Sequence, residues 1–226
     1  MCNLYHSTPR DRLPAVFASI VQQIDGPGYA PVAAPLKLAP YIRARGAAVV
    51  GQWGMIPPSS KTRTPTTSSG KRMSTNNARI EGVAKAWTFR FAWGRGQRCL
   101  IPAESYDEPY WGTGKNIWWR FARADGMPWA LAGLWSEWTD PETGEVVPNF
   151  TMLTQNCDGH PLLSLMHKPD GAVPPDKRSV VPIERADWDA WLHGNNDQAQ
   201  ALIRVPPVEL FVHGAADPAK QVDLPL

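Results

Sequence analysis

Loss of Met1 would give Cys2 an α-amine and a thiol on the same carbon. Such an amine, with an ordinary pKa of about 8, condenses with an aldehyde to an imine, and the thiolate then closes a five-membered thiazolidine. The same residue can instead be the nucleophile of an amide hydrolase, with its own amine as base. Position alone does not separate either chemistry from an ordinary cysteine. The remaining thiols, Cys99 and Cys157, leave at least one cysteine unpaired and show no Cys-x-x-Cys spacing. This argues against a disulfide framework or a thiolate zinc site, and the thiols are expected to be reduced. Without a His-x-x-x-His pair, a phosphate-binding glycine loop or a dinucleotide fingerprint, no metal or nucleotide cofactor is expected.

Four further segments surround this chemistry: Trp53-Gly54-Met55-Ile56-Pro57, Asn77-Ala78-Arg79-Ile80-Glu81, the run from Arg98-Cys99-Leu100-Ile101-Pro102-Ala103 to Glu108, and Met166-His167-Lys168-Pro169. With Cys2, in this order and spacing, they resemble the SOS-response-associated peptidase family of abasic-site processing proteins along nearly the whole chain. The resemblance implies a mature N-terminal Cys2 that crosslinks to the ring-opened sugar of an abasic site in single-stranded DNA. It also implies removal of the protein's own leading residues, and leaves open a lyase activity on the strand. Matched by motif, Asn77 holds the aldehyde oxygen or a sugar hydroxyl. Arg79 clamps a neighbouring phosphate. Glu108 shuttles protons during imine formation, and His167 protonates the ring oxygen so that the sugar opens. Glu104 and His160 lie near enough to be mistaken for this pair, but the motif register selects Glu108 and His167. Departures from the pattern are Asn3-Leu4, where many members have Gly-Arg, and Pro109 after the glutamate.

Net charge is only +2, yet its distribution is uneven. Residues 26–103 hold 12 Lys/Arg against a single acid, Glu81, as a phosphate-binding face requires. Within that stretch the polar, Ser/Thr/Pro-rich segment 57–77 reads as a long surface loop, placing Lys71 and Arg72 as DNA contacts. Of the aromatic residues interleaved with this charge, Trp53 is the one assigned to base stacking, because it precedes the Gly-Met-Ile-Pro segment and the loop. Two other readings stand beside covalent capture: an N-terminal-nucleophile cysteine peptidase, and a noncatalytic single-strand-binding module.

These residues need a scaffold, and 226 residues with 43% apolar content and 11 Trp suit one fairly large domain. Ser7-Thr8-Pro9 followed by Leu13, Val16, Phe17, Ile20 and Val21 predicts a capped helix ending near Gly26. Ala47 to Trp53 reads as a strand. Arg98–Pro102, Ile117–Arg123, Trp129–Trp135 and Phe150–Thr154 are further strands, with turns at Asp125-Gly126 and Thr143-Gly144. Helices are expected over Ile183–Leu192 and Gln198–Ile203, and the last dozen residues read as a tail. The expected fold is α+β: a single domain, residues 1–226, with a curved, barrel-like antiparallel sheet flanked by helices. No apolar run is long enough to cross a membrane and no signal peptide is recognisable, so a cytoplasmic monomer is expected, nucleoid-associated when bound to DNA.

Overall fold

A computed structural model describes residues 2–44, 46–168, 171 and 175–226. Five strands close on themselves: β4 (Leu38–Arg43), β5 (Ala47–Trp53), β7 (Arg98–Tyr110), β9 (Trp129–Thr139) and β10 (Val146–Asn156). β5 pairs with β4, β4 with β7, β7 with β9 and β9 with β10, all antiparallel, and β10 returns to β5 in parallel. The barrel is therefore mixed, not wholly antiparallel. Two more parallel pairings reinforce it, β2 (Gln23–Asp25) on β5 and β6 (Asn77–Arg79) on β10.

Both faces of the barrel wall are covered, so successive residues of one strand enter different cores. Cys99 and Ile101 join Tyr41, Trp53, Phe150 and Met152 inside, while Leu100 joins Leu134, Trp188 and Trp191 in the outer cluster. This explains why β5 is buried along its whole length, although a strand with one wet face alternates. Gly133 allows the wall to close, since a Cβ there would lie 2.7 Å from the Thr151 carbonyl oxygen and 2.9 Å from Cys99 Sγ.

β7 outlasts the barrel. Arg98–Ala103 pairs with β9, whereas Ser105–Tyr110 pairs with β8 (Ile117–Arg123), and β1 (Leu4–Ser7) runs along its other edge. The register beside β1 slips at this handover: His6 faces Ser105 while Ser7 faces Ala103, leaving Glu104 bulged. β11 (Arg178–Val180) adds to β10, and β3 (Val32–Ala33) and β12 (Phe211–Ala215) complete the sheet against β1 and β8.

The expected N-terminal helix is mostly absent. Ser7 ends β1, and only α1 (Leu13–Val16) is helical, without a side-chain cap. Its apolar face is still the buried one, with Leu13, Val16, Phe17 and Val21 in the outer core. Beyond Val21 the chain is captured by parallel pairing to β5, which overrides the helical periodicity. The second expected helix starts late because Ile183 N–H still bonds to Ala130 O; a 3-10 turn over Arg185–Asp187 leads into α3 (Trp188–His193). α4 (Asn196–Ala201) begins earlier than expected, at an Asn195/Gln198 capping box. α2 (Arg90–Gly94) went unpredicted. The final dozen residues are tied down: Gln221 Oε1 accepts from Ala215 N–H at 2.8 Å, and Val222 and Leu224 pack on the inner core.

Candidate active site

Cys2 leads directly into β1, whose pairing with β7 sets Leu4 opposite Asp107 and brings the cysteine to the far end of β7. The residue is fully buried, with Sγ 3.4 Å from Leu4 O, and burial, followed by the nearby Glu108 carboxylate, holds the thiol well above its ordinary pKa. A thiol held protonated is not a competitive nucleophile until the site opens or the proton is taken away.

Asn77 arrives from β6. Its Nδ2 donates to the Cys2 carbonyl oxygen at 2.7 Å, and its Oδ1 is buried with no hydrogen-bond donor among the described residues. Asn76 adds to this grip, donating to Asn3 Oδ1 at 3.0 Å and to Cys2 O at 3.4 Å. Its own carbonyl receives the Trp53 indole N–H at 2.8 Å and Met152 N–H at 2.9 Å. Trp53 is thus a core residue and not a stacking platform: its ring is fully buried and edge-on to Tyr5, with no face free for a base. Its task is to hold the Asn76-Asn77 dipeptide. Asn76 was missed because it precedes the matched segment, although consecutive amides beside a buried indole donor are the signal.

Past the Glu104 bulge, Tyr106 and Tyr110 point to the inner core, and Glu108 lies between them on the same side of β7. Burial pushes Glu108 up to about 7, so near neutrality it can give or take a proton. His167 meets it, with Nε2 3.4 Å from Glu108 Oε2. Its backbone N–H donates to Pro109 O at 2.6 Å, Met166 bridges to Tyr110, and Nε2 lies 3.3 Å from Arg178 O. Burial lowers His167 to about 4. The imidazole is therefore neutral at physiological pH, which revises the expectation of an imidazolium acid.

The two alternative residues have structural work elsewhere. Glu104 is paired with Arg12, and His160 Nδ1 accepts the N–H groups of Leu162 and Leu163 at 3.2 and 3.0 Å. A second set of polar residues went unnoticed in the sequence: Asp107, Arg120 and His6. Asp107 is buried on the opposite side of β7 from Glu108 and takes two bonds of 2.8 Å from Arg120, whose Nη2 lies 2.8 Å from His6 Nε2. One residue from each of β1, β7 and β8 is joined in this way. No motif spans them.

Arg79 is exposed at the mouth of β6 and ion-paired at 2.8 Å with Asp176, which also contacts Arg178 at 3.1 Å. Lys71 and Arg72 are exposed in the long loop, on a small hairpin closed by a Thr66/Arg72 bridge, and have no ion pair among the described residues. The loop is pinned by Trp138 Nε1 to Ser60 O at 3.1 Å and Gln52 Nε2 to Arg63 O at 2.9 Å. No described helix is long and apolar enough to cross a membrane.

The fold that brings these residues together has relatives among solved structures. An X-ray structure from Bordetella bronchiseptica is 31% identical, with a TM-score of 0.84, over 96% of this chain and 100% of that one. A protein from Bacteroides thetaiotaomicron shares the fold at 17% identity and a TM-score of 0.75, covering 95% of this chain and 91% of that one. A phage-related protein from Bordetella bronchiseptica does so at 17% and 0.64, with 96% and 93% coverage. Among curated proteins nothing matches. The family model described as "SOS response associated peptidase (SRAP)" matches residues 1–214, and the chain belongs to that DNA-damage-associated family.

Proposed function

We propose that this protein captures abasic sites in single-stranded DNA as a covalent thiazolidine on Cys2 once Met1 has been removed. The observation that carries the reading is the convergence of Cys2, Asn77, Glu108 and His167 at one end of β7, from four separate segments of the chain. In the reaction the Cys2 amine adds to the aldehyde carbon of the opened sugar, and the carbinolamine loses its oxygen as water to give an imine. The thiol sulfur then adds to the imine carbon while its proton ends on nitrogen. No oxidant or cofactor enters the balance. Glu108, poised near 7, moves the protons in balance: those it gives to the ring oxygen and to the departing hydroxyl it recovers from the anomeric hydroxyl and from the carbinolamine nitrogen, and it passes the thiol proton to the imine nitrogen. His167, neutral, orients that carboxyl group through its Nε2. Asn77 holds Cys2 through its carbonyl and presents a free acceptor oxygen to the amine or a sugar hydroxyl. Arg79, Lys71 and Arg72 bind the phosphates on either side.

Intact mass and denaturing gels test this directly. Met1-free protein should form a denaturant-resistant adduct with single-stranded abasic oligonucleotide, and Cys2→Ala should form none. A fully processed wild type that gives no adduct rejects the reading. A peptidase acting on other proteins would instead cleave peptides in trans and ignore DNA.

A further inference from the structure

His167 has a backbone φ of 63°, a left-handed conformation that among the described non-glycine residues is shared only by Leu36. That conformation is unfavourable for a residue with a Cβ, so something must hold it. Part of the hold comes from β7, through the 2.6 Å bond from His167 N–H to Pro109 O. Lys177 adds to this hold. Its Nζ donates to Met166 O at 2.6 Å and to His167 O at 3.0 Å. Successive carbonyls of an extended chain point to opposite sides, so one ammonium reaches both only when the chain turns at this place. Lys177 is itself anchored, its N–H on Asp158 Oδ1 at 2.8 Å and its carbonyl taking Cys157 N–H at 2.8 Å. The next residue, Arg178, offers the carbonyl beside His167 Nε2. Two consecutive residues thus grip His167 at its backbone and at its ring.

We propose that Lys177 is a positioning residue for covalent capture, holding the His167 main chain in the turned conformation that aims its imidazole at Glu108; this rests on the function proposed above. Its positive charge also acts in the same direction as burial in keeping the imidazole neutral.

The test uses Met1-free full-length protein, single-turnover capture of a single-stranded abasic oligonucleotide, and binding of an undamaged oligonucleotide of the same sequence. Lys177→Met should slow capture by about tenfold and leave affinity for undamaged DNA unchanged, while Lys177→Arg, which keeps charge and donors, restores most of the rate. In a His167→Ala background the same change should add little, because the lysine acts through the histidine. NMR titration of the His167 ring without DNA should show its pKa moving up towards the ordinary value in Lys177→Met. An unmoved ring, an unchanged capture rate in folded protein, a defect confined to DNA affinity, or full multiplication with His167→Ala overturns the assignment. A wild type that makes no adduct while the ring titration still responds to Lys177 rejects the capture reading and leaves the positioning intact.

Discussion

Glu108 and His167 oppose one another in their effect on stability. Glu108 titrates at about 7 in the fold against an ordinary 4.5, so between these values the folded state keeps a proton that the unfolded chain has released. Its contribution therefore falls as pH rises through that window. His167 titrates at about 4 against 6.5, so the unfolded chain binds the extra proton and stability rises with pH over about the same range. The two slopes offset. Glu108→Gln removes one of them, and its stability relative to wild type should increase by about 1–3 kcal/mol between pH 4.5 and pH 8. Urea unfolding at the two pH values measures this, and an equal difference at both contradicts it. Capture by the same variant should drop by about a hundredfold or more, since the acid–base group is gone. At this scale motif order carried Cys2, Asn77, Glu108 and His167 to one place, while Trp53 was misplaced. An indole next to basic residues in sequence says nothing of which way its ring points, and here its N–H is spent on Asn76 O.

β1 is only four residues long, yet it places Cys2 at the site. Main-chain pairing alone is a weak hold for so short a strand, and the Arg120–Asp107–His6 link across β8, β7 and β1 strengthens it. Arg120→Met leaves the Asp107 carboxylate buried without its guanidinium, which should cost about 2–4 kcal/mol and slow capture beyond what the lower stability explains. Thermal melts alongside capture rates at a temperature where the variant is fully folded separate the two effects; normal capture there assigns the link to stability alone. The long strands were legible because their β-rich runs are bounded by turn signals, as at Gly126 and Gly144, both at positive φ. β1, β3 and β6 were not, since two to four residues carry no periodicity and exist only through their partners. The N-terminal helix failed for the converse reason: its apolar spacing was real, but a parallel strand claimed the chain first.

Over the whole molecule, charge is segregated along the chain, and Lys71 and Arg72 project from the loop that ends at Asn77. Replacing both by Glu should weaken binding to undamaged single-stranded DNA and lower the slope of log affinity against log salt by about 1.4 if both contact phosphates. An unchanged slope removes them from the DNA path. Adduct formation at saturating DNA should persist, because neither residue touches the reacting group. Much of the architecture hangs on β7, which begins as barrel wall and ends as the bed of the site. The Glu104 bulge gives that strand a reading frame. Upstream, odd-numbered residues from Cys99 to Ala103 face the interior; downstream, even-numbered ones from Tyr106 to Tyr110 do. Losing Glu104 would restore an unbroken alternation with Glu108 still facing inward, so the bulge can absorb the loss of one residue without harm to the acid. An insertion between Ser105 and Asp107 with the bulge unchanged would be a frameshift in space, turning Glu108 to the outer face and away from His167.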